Sequence, residues 1–436
     1  MGTSTGSRWT KFDKRRGARV ATAVIASGLA AGMLAACGGG SSGGGSDSGG
    51  NSRGPITYVQ GKDNNGILPT LAEMWNKDHP DEKVTIREQS DQADAQHDDL
   101  VQNFQAKNAD YDVVSVDVVW TAEFAAQGWL VPLEGDYALP TGDFLKPTVD
   151  AATYNGKLFA APGTSDGGLL YYRSDIIKTP PTTRAELIAD CANKGSVRDC
   201  YAGQFAQYEG LTVNAAEAIN GAGGHILDDS GKPDVNTAEA KTGLSFLVDG
   251  FKQGYIPSNG LTFQETQSLD DFQQGNLLFL RNWPYAYSLL SATDGTSKVN
   301  GKFGIAPLPG ADGLGASSLG GHSIAISQFS DHKQTALDFL KFYQSEATQK
   351  FLLEKSSLAP SLASLYDDAT LTSQFKYLPT LKTAIENAVP RPVTPFYPAV
   401  TQAIQQNVFA ALQGDKSVDQ ALTDLQAALT TATSGN

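Results

Sequence analysis

Basic residues, histidine and cysteine are all scarce in this chain, and each scarcity excludes something. Lys and Arg number 33 against 47 Asp and Glu, a formal charge of −14. So acidic a surface argues against nucleic acid as a partner and against electrostatic binding to anionic lipid. The five His, at positions 79, 97, 225, 322 and 332, show no metal-ligand spacing, and no H-E-x-x-H occurs. P-loop and dinucleotide fingerprints are absent too, so no metal or other cofactor is expected. The apolar run Val20–Met33 is too short to span a bilayer. Cysteine occurs three times.

What is present suffices for a large folded body. The 436 residues, 40% hydrophobic and 18% charged, can form two or three domains or one large two-lobed domain. Residues 1–36 read as a targeting segment rather than as fold. Arg8, Lys11, Lys14, Arg15, Arg16 and Arg19 make a basic start, the apolar run follows, and Leu34-Ala35-Ala36-Cys37 ends it. Small residues before a Cys resemble a bacterial lipobox, which implies cleavage before Cys37 and diacylglyceryl modification of its sulfur. Arg15-Arg16 lacks the fuller surroundings of a twin-arginine signal. Residues 37–53 are then the lipidated Cys and a flexible Gly/Ser tether, GGGSSGGGSDSGGNS. The body faces an oxidising exterior, where Cys191 and Cys200 can pair and contribute roughly 2–3 kcal/mol.

The stretch Tyr111–Trp129 organises the rest. Val113, Val114, Val116, Val118 and Val119 read as a strand buried on both faces of a parallel sheet. A short helix follows, with Thr121 as cap and Gly128 as stop. Ligands of open α/β sheets sit beyond the carboxyl ends of the strands. Asp117 and Trp120 emerge at such an end and suit a polar solute with an apolar face, such as a sugar. The same two residues also read as a helix start and a core indole.

Upstream, strands at Pro55–Gln60 and Lys83–Gln89 alternate with helices at Ile67–Trp75 and Ala93–Lys107, the opening of a doubly wound sheet. Downstream, strands are expected at Leu158–Pro162, Gly167–Tyr172, Tyr201–Tyr208, Leu277–Leu280, Phe303–Pro307 and Ser323–Ser327. Helices are expected over Leu211–Ala222, Ala238–Gln253, Ser268–Gln274, His332–Tyr343 and Val400–Leu412, with a Ser417/Gln420 capping box opening the last helix.

Gly163-Thr164-Ser165-Asp166-Gly167 matches G-x-S-x-G. A strand-like Gly-Leu-Leu-Tyr-Tyr follows it where a nucleophile elbow needs a helix, so it is not one. Polar and aromatic residues cluster instead at element ends: Asp166, Glu209, Trp283 with Tyr285, Gly320-Gly321-His322, and Arg391 in a Pro-rich run. Each also has a structural reading. Together they suit a sugar: carboxylates accept from hydroxyls, Arg donates, and aromatic faces cover the C–H face of a pyranose.

The segments DVVWTAEFAAQGW, GLLYYR, QYEGL, RNWPYAY, GGHSIAIS and RPVTPFYP, in this order, carry a resemblance running from about Ile56 to the C-terminus. The chain resembles the extracellular solute-binding proteins of bacterial ABC sugar importers. It is most similar to the trehalose/maltose-binding branch, which includes mycobacterial trehalose-binding lipoproteins. The resemblance implies an α/β, two-lobed periplasmic-binding-protein fold with three interlobe crossings, near Gly163–Gly168, Phe303–Pro309 and Leu358–Ser361. Lobe one would be 54–164 and 308–358, lobe two 165–307 and 359–436. By motif position Asp117 and Asp166 look like sugar-hydroxyl acceptors, Glu209 the second lobe's acid, Trp283 the stacking indole and Tyr285 its neighbour. Gly320 and Gly321 match backbone donors, and Arg391 the Arg that reaches across the cleft. Asp63 and Asn64 match more loosely. Asp166 and His322 depart from mycobacterial and other relatives, which carry Asn and Trp or Asn there. The implied ligand is an α-glucosidic disaccharide, trehalose before maltose. The implied partners are permease subunits with their ATPase, with membrane contact through the lipid anchor only and the protein a monomer. No catalysis is expected; the alternatives are an extracellular glycoside hydrolase and a sugar-sensing lipoprotein.

Fractionation tests the anchor. The wild-type protein should be found with membranes, and Cys37→Ser should move it to the soluble fraction.

Overall fold

The computed structural model describes residues 52–228 and 230–434, so the leader, Cys37 and nearly all of the tether lie outside the described residues. The first sheet begins as the alternation predicts: β1 (Ile56–Gln60), α1 (Leu68–Asp78), β2 (Val84–Glu88), α2 (Ala93–Gln105) and β3 (Val113–Asp117). β1 runs parallel to both β2 and β3. Every residue of β3 is buried. Val113 joins the core of Leu71, Trp75 and Phe339 on one face, and Val114 and Val116 join Leu100, Phe104 and Phe124 on the other. The helix after it, α3 (Thr121–Ala126), ends before Gly128 at φ 70°. Its start differs from expectation. Trp120 holds the cap position without a side-chain bond, and the Thr121 hydroxyl is buried with no partner among the described residues.

α4 (Lys146–Ala151), the hairpin β4 (Thr153–Tyr154) and β5 (Lys157–Leu158), and β6 (Ala161–Pro162) complete the outward path. The chain then builds a second sheet through β7 (Asp166–Gly167), β8 (Leu169–Arg173), α5 (Arg184–Cys191), β9 (Asp199–Ala202), α6 (Glu209–Asn220), α7 (Ala238–Gln253), α8 (Glu265–Gln273), β10 (Leu277–Asn282), α9 (Ala286–Leu290) and β11 (Phe303–Ala306). That sheet has the order β11-β8-β10-β9. β12 (Leu319–Gly320) pairs with β7, and β13 (His322–Ile326) returns to the first sheet, whose order is β2-β1-β3-β13-β6. β13 is antiparallel to β3, so the first sheet is mixed rather than parallel throughout. α10 (Lys333–Gln344) and α11 (Glu346–Ser356) follow, then α12 (Ala369–Gln374), α13 (Leu378–Glu386), α14 (Tyr397–Gln413) and α15 (Val418–Thr433). Val400 and Ile404 of α14 and Leu425 of α15 share a core with Leu211 and Leu244 of α6 and α7. Among the described residues no helix is long and apolar enough to cross a membrane.

Two sheets with their own helices make two lobes, and the chain passes between them three times. The first and third passages run side by side. The Ser165 N–H donates to Ala359 O at 2.9 Å, and Gln349 ties Gly163 O (2.7 Å) to the Ser361 N–H (2.9 Å). The middle passage comes later than the expected Phe303–Pro309. Phe303–Ala306 is still β11, Leu308 packs in the second lobe's core, and the Ser318 N–H donates to Glu217 Oε1 at 3.1 Å. These contacts hold Leu308 and Ser318 against the second lobe.

Two further expectations are corrected. The strand expected over Tyr201–Tyr208 stops at Ala202. Gln204 is fully buried and its amide turns inward to Arg281 O (3.0 Å) and Ser268 Oγ (2.9 Å), which ends the ladder. Ser417 caps α15 through the Gln420 N–H, but the Gln420 side chain goes to Asp424 at 2.8 Å, so only half of the capping box forms. A complete box, at Thr183 and Glu186, opens α5. Cys191 and Cys200 are disulfide-bonded with Cα atoms 5.3 Å apart, tying the end of α5 to β9. The strand-like segment after Asp166-Gly167 is indeed β8, which excludes the nucleophile elbow.

Inside the second lobe Glu217 of α6 and Arg281 of β10 form a bidentate pair, at 2.7 and 2.6 Å, and Arg281 is 1% exposed. A buried charge left without its partner is costly. Glu217→Ala should therefore lower stability by about 3–5 kcal/mol in denaturant unfolding.

Candidate functional site

Between the lobes lies a cleft of about 240 Å³, just below the roughly 300–1,000 Å³ usual for ligand sites. Asp63, Asn64 and Asp117 line it from the first lobe. Asp166, Glu209, Trp283, Tyr285 and Arg391 line it from the second, with Gly320 and Gly321 at the return between them. The residues expected at the site are therefore brought together, with one exception. Trp120 is 4% exposed and stays in the first lobe's core, its ring centroid 5.5 Å from that of His97 and 6.1 Å from that of Phe124.

The buried strand β3 delivers Asp117 to the cleft. Its Oδ1 accepts the Val119 N–H (3.2 Å) and Arg391 Nη2 (3.1 Å), so Oδ2 keeps acceptor capacity. Arg391 also donates through Nη1 to Glu209 Oε1 at 2.5 Å. Glu209 is further held by the hydroxyls of Tyr397 (2.5 Å) and Thr401 (2.6 Å). Burial raises the Glu209 pKa, against the pull of Arg391. Its oxygens are already engaged, so its visible work is to hold Arg391 rather than to offer a free acceptor.

Trp283 follows β10 and is fixed from several sides. Its N–H is bound by Asn282 Oδ1 (2.8 Å) and its carbonyl by the Tyr171 hydroxyl (2.9 Å). The Arg281 guanidinium lies 3.8 Å from the ring centroid, a cation–π contact that occupies one face of the indole. Glu265, which also lines the cleft, accepts from the Tyr208 hydroxyl at 2.6 Å. Burial raises its pKa as well. The sequence reading missed Glu265: an acid opening a helix reads as a dipole partner, and nothing local marks its place in the cleft.

The glycine pair makes room. A Cβ at Gly320 would lie 2.8 Å from Trp283 Cζ3. At Gly321, φ is 101° and a Cβ would lie 2.4 Å from Thr164 O. His322, paired in register with Asp117, is held below its ordinary pKa by burial, which keeps it neutral. On the other rim Asn65 Nδ2 donates to Ser288 Oγ at 2.7 Å, joining the Asp63–Asn65 turn to α9.

Asp166 stands apart. Among the described residues no hydrogen bond or ion pair holds its side chain, and burial, with Asp117 nearby, raises its pKa from 3.8 to about 7. The folded protein thus holds this proton more tightly than the unfolded chain does. Stability contributed here is lost as pH rises from about 4 through 7. Asp166→Asn should therefore raise the melting temperature at pH 8 and leave it unchanged near pH 4. Thermal unfolding of both proteins across that range checks the sign.

Comparison with known proteins identifies the family and the fold. The family model described as bacterial extracellular solute-binding protein fits residues 58–350. A probable ABC transporter-binding protein of Deinococcus radiodurans is 32% identical over 345 residues, covering 75% of this chain and 81% of its own. A mannitol-binding protein of Pseudomonas aeruginosa is 25% identical over 399 residues, 84% of this chain and 90% of its own. The solved structure of maltose-bound MalE3 of T. maritima superposes with a TM-score of 0.83 at 33% identity, covering 86% of this chain and 99% of that one. With its two-lobed α/β fold and interlobe cleft, the chain belongs to the bacterial extracellular solute-binding proteins.

Proposed function

We propose that this protein is the lipid-anchored substrate-binding component of an ABC sugar importer, capturing an α-glucosidic disaccharide, trehalose before maltose, between its lobes. The observation that carries this reading is one indole face, Trp283, backed by Arg281 and set in the same cleft as the acceptors Asp117 and Asp166. A pyranose has an apolar face for the ring and paired hydroxyls for the carboxylates. The maltose in the MalE3 structure supports an α-glucoside, and the transporter role of the Deinococcus relative supports import through permease subunits and an ATPase. Cys37 and the tether support an anchor on the outer face of the cell membrane, with a monomeric body reaching the permease.

In this reading Asp117 and Arg391 serve one ring and Asp166 the other, with Trp283 and Tyr285 over the apolar faces. Asp63, Asn64 and the Gly320–Gly321 backbone supply the remaining polar contacts, and Glu209 steadies Arg391. Trehalose presents similar hydroxyl edges at both rings and no reducing end. A buried acceptor left unpaired by the wrong linkage costs about 1–3 kcal/mol.

Calorimetric titration should give trehalose an advantage of roughly ten-fold or more over maltose, and little response to glucose. Asp166→Ala and Trp283→Ala should each weaken binding by about one to two orders of magnitude. Sugar recovered after incubation should be intact; turnover would favour a glycoside hydrolase instead. Maltose binding as tightly as trehalose would overturn the trehalose assignment but leave the importer reading in place.

A further inference from the structure

The start of α6 lacks a cap of its own. Tyr208 holds the cap position and makes no side-chain cap bond. The Glu209 N–H is instead taken by Asp94 Oδ1, at 3.2 Å, from α2 in the opposite lobe. Asp94 Oδ2 accepts Gln405 Nε2 of α14, at 3.4 Å. Gln405 also donates to Thr401 Oγ1 (3.1 Å), and Thr401 donates to Glu209 Oε2 (2.6 Å). One carboxylate of the first lobe therefore grips two helices of the second, and through Thr401 it reaches the acid that holds Arg391.

Asp94 does this without lining the solute cleft. It lines a neighbouring cavity of about 290 Å³ with His97 and Tyr397, and Glu209 borders both spaces. His97 is engaged elsewhere, its Nε2 2.7 Å from Glu123 Oε2, so it does not compete for Asp94. The clasp between Asn65 and Ser288 on the other rim also joins the lobes, but Asn65 lines the solute cleft, so its loss mixes closure with solute contact.

We propose that Asp94 is the latch of lobe closure, a positioning residue that caps α6 only when the lobes are together and so lengthens the life of the closed state without touching the solute. Both bonds join opposite lobes, so opening must break them, and closing leaves a helix start capped that is otherwise bare. The anionic partner also suits the positive end of the helix. The latch builds on the proposed sugar-binding role but is read independently of it.

Stopped-flow tryptophan fluorescence with trehalose separates the two rate constants. In Asp94→Ala, dissociation should speed up by roughly two- to thirty-fold, the range a lost helix cap allows. Association should stay within about two-fold, since the solute contacts are intact. Asp94→Asn, whose amide oxygen still accepts, should fall between. With no sugar added, X-ray scattering should give Asp94→Ala a larger radius of gyration than the wild type, which reads the latch even if neither trehalose nor maltose binds. Failure of the wild type to bind either sugar counts against the proposed function alone. Unchanged dissociation in a sugar-binding protein overturns the latch, as does an unchanged radius of gyration without sugar.

Discussion

Arg391 sits between Asp117 of the first lobe and Glu209 of the second, at 3.1 and 2.5 Å, and the geometry of the cleft depends on that bridge. Two buried carboxylates facing one cavity repel each other unless a cation stands between them. A guanidinium can serve both, because its donors fan out in a plane. Its remaining Nη2 contact, Leu319 O at 3.4 Å, ties the same group to the strand that leads back to the first sheet. The stiff Pro-rich run that carries Arg391 lets a single side chain reach both lobes at little entropic cost.

The aromatic side of the cleft is built by a different kind of support. Glu217 fixes Arg281, Arg281 lies over Trp283, and Gly320 leaves the ring edge its place. A Cβ at Gly168 would fall 2.3 Å from Glu217 Oε1, so the buried pair also needs a bare backbone beside it. The indole presented to a solute is therefore the last member of a rigid column that begins in α6. The same helix carries Glu209 at its first turn, so both halves of the cleft are referenced to one element. Arg184 donates to Ala218 O near its other end at 2.6 Å, which holds that helix against α5.

Local pattern made much of this legible. The β-branched run of β3 announces a strand buried on both faces, and Asp117 at its end marks where a ligand would lie. The glycine at 128 ends α3 as its position suggests. The failures share a cause. Gln204 continues an apparent strand in sequence but is drawn inward by Arg281 O, a residue 77 positions away. Trp120 has the right company for a solute site, yet the first lobe's core claims it. Glu265 reads as a helix-start acid and turns out to line the cleft, held by the Tyr208 hydroxyl. Each of these is decided by a partner distant in sequence, which periodicity cannot report.

By itself the sequence determined the alternation of strands and helices that opens a doubly wound sheet, a Cys191–Cys200 spacing that permits a bridge, and the kinds of polar and aromatic group that cluster at element ends. Periodicity, turn residues and short-range spacing encode all of these. Only the tertiary structure decided which groups are free. Among the described residues Asp117 keeps one oxygen open and no donor bonds the Asp166 carboxyl, while Glu209 is taken up by Arg391, Tyr397 and Thr401. The physical reason is that a carboxylate's availability depends on the donors the fold brings within hydrogen-bond distance of it, and here those donors come from the opposite lobe and from the last helices of the chain.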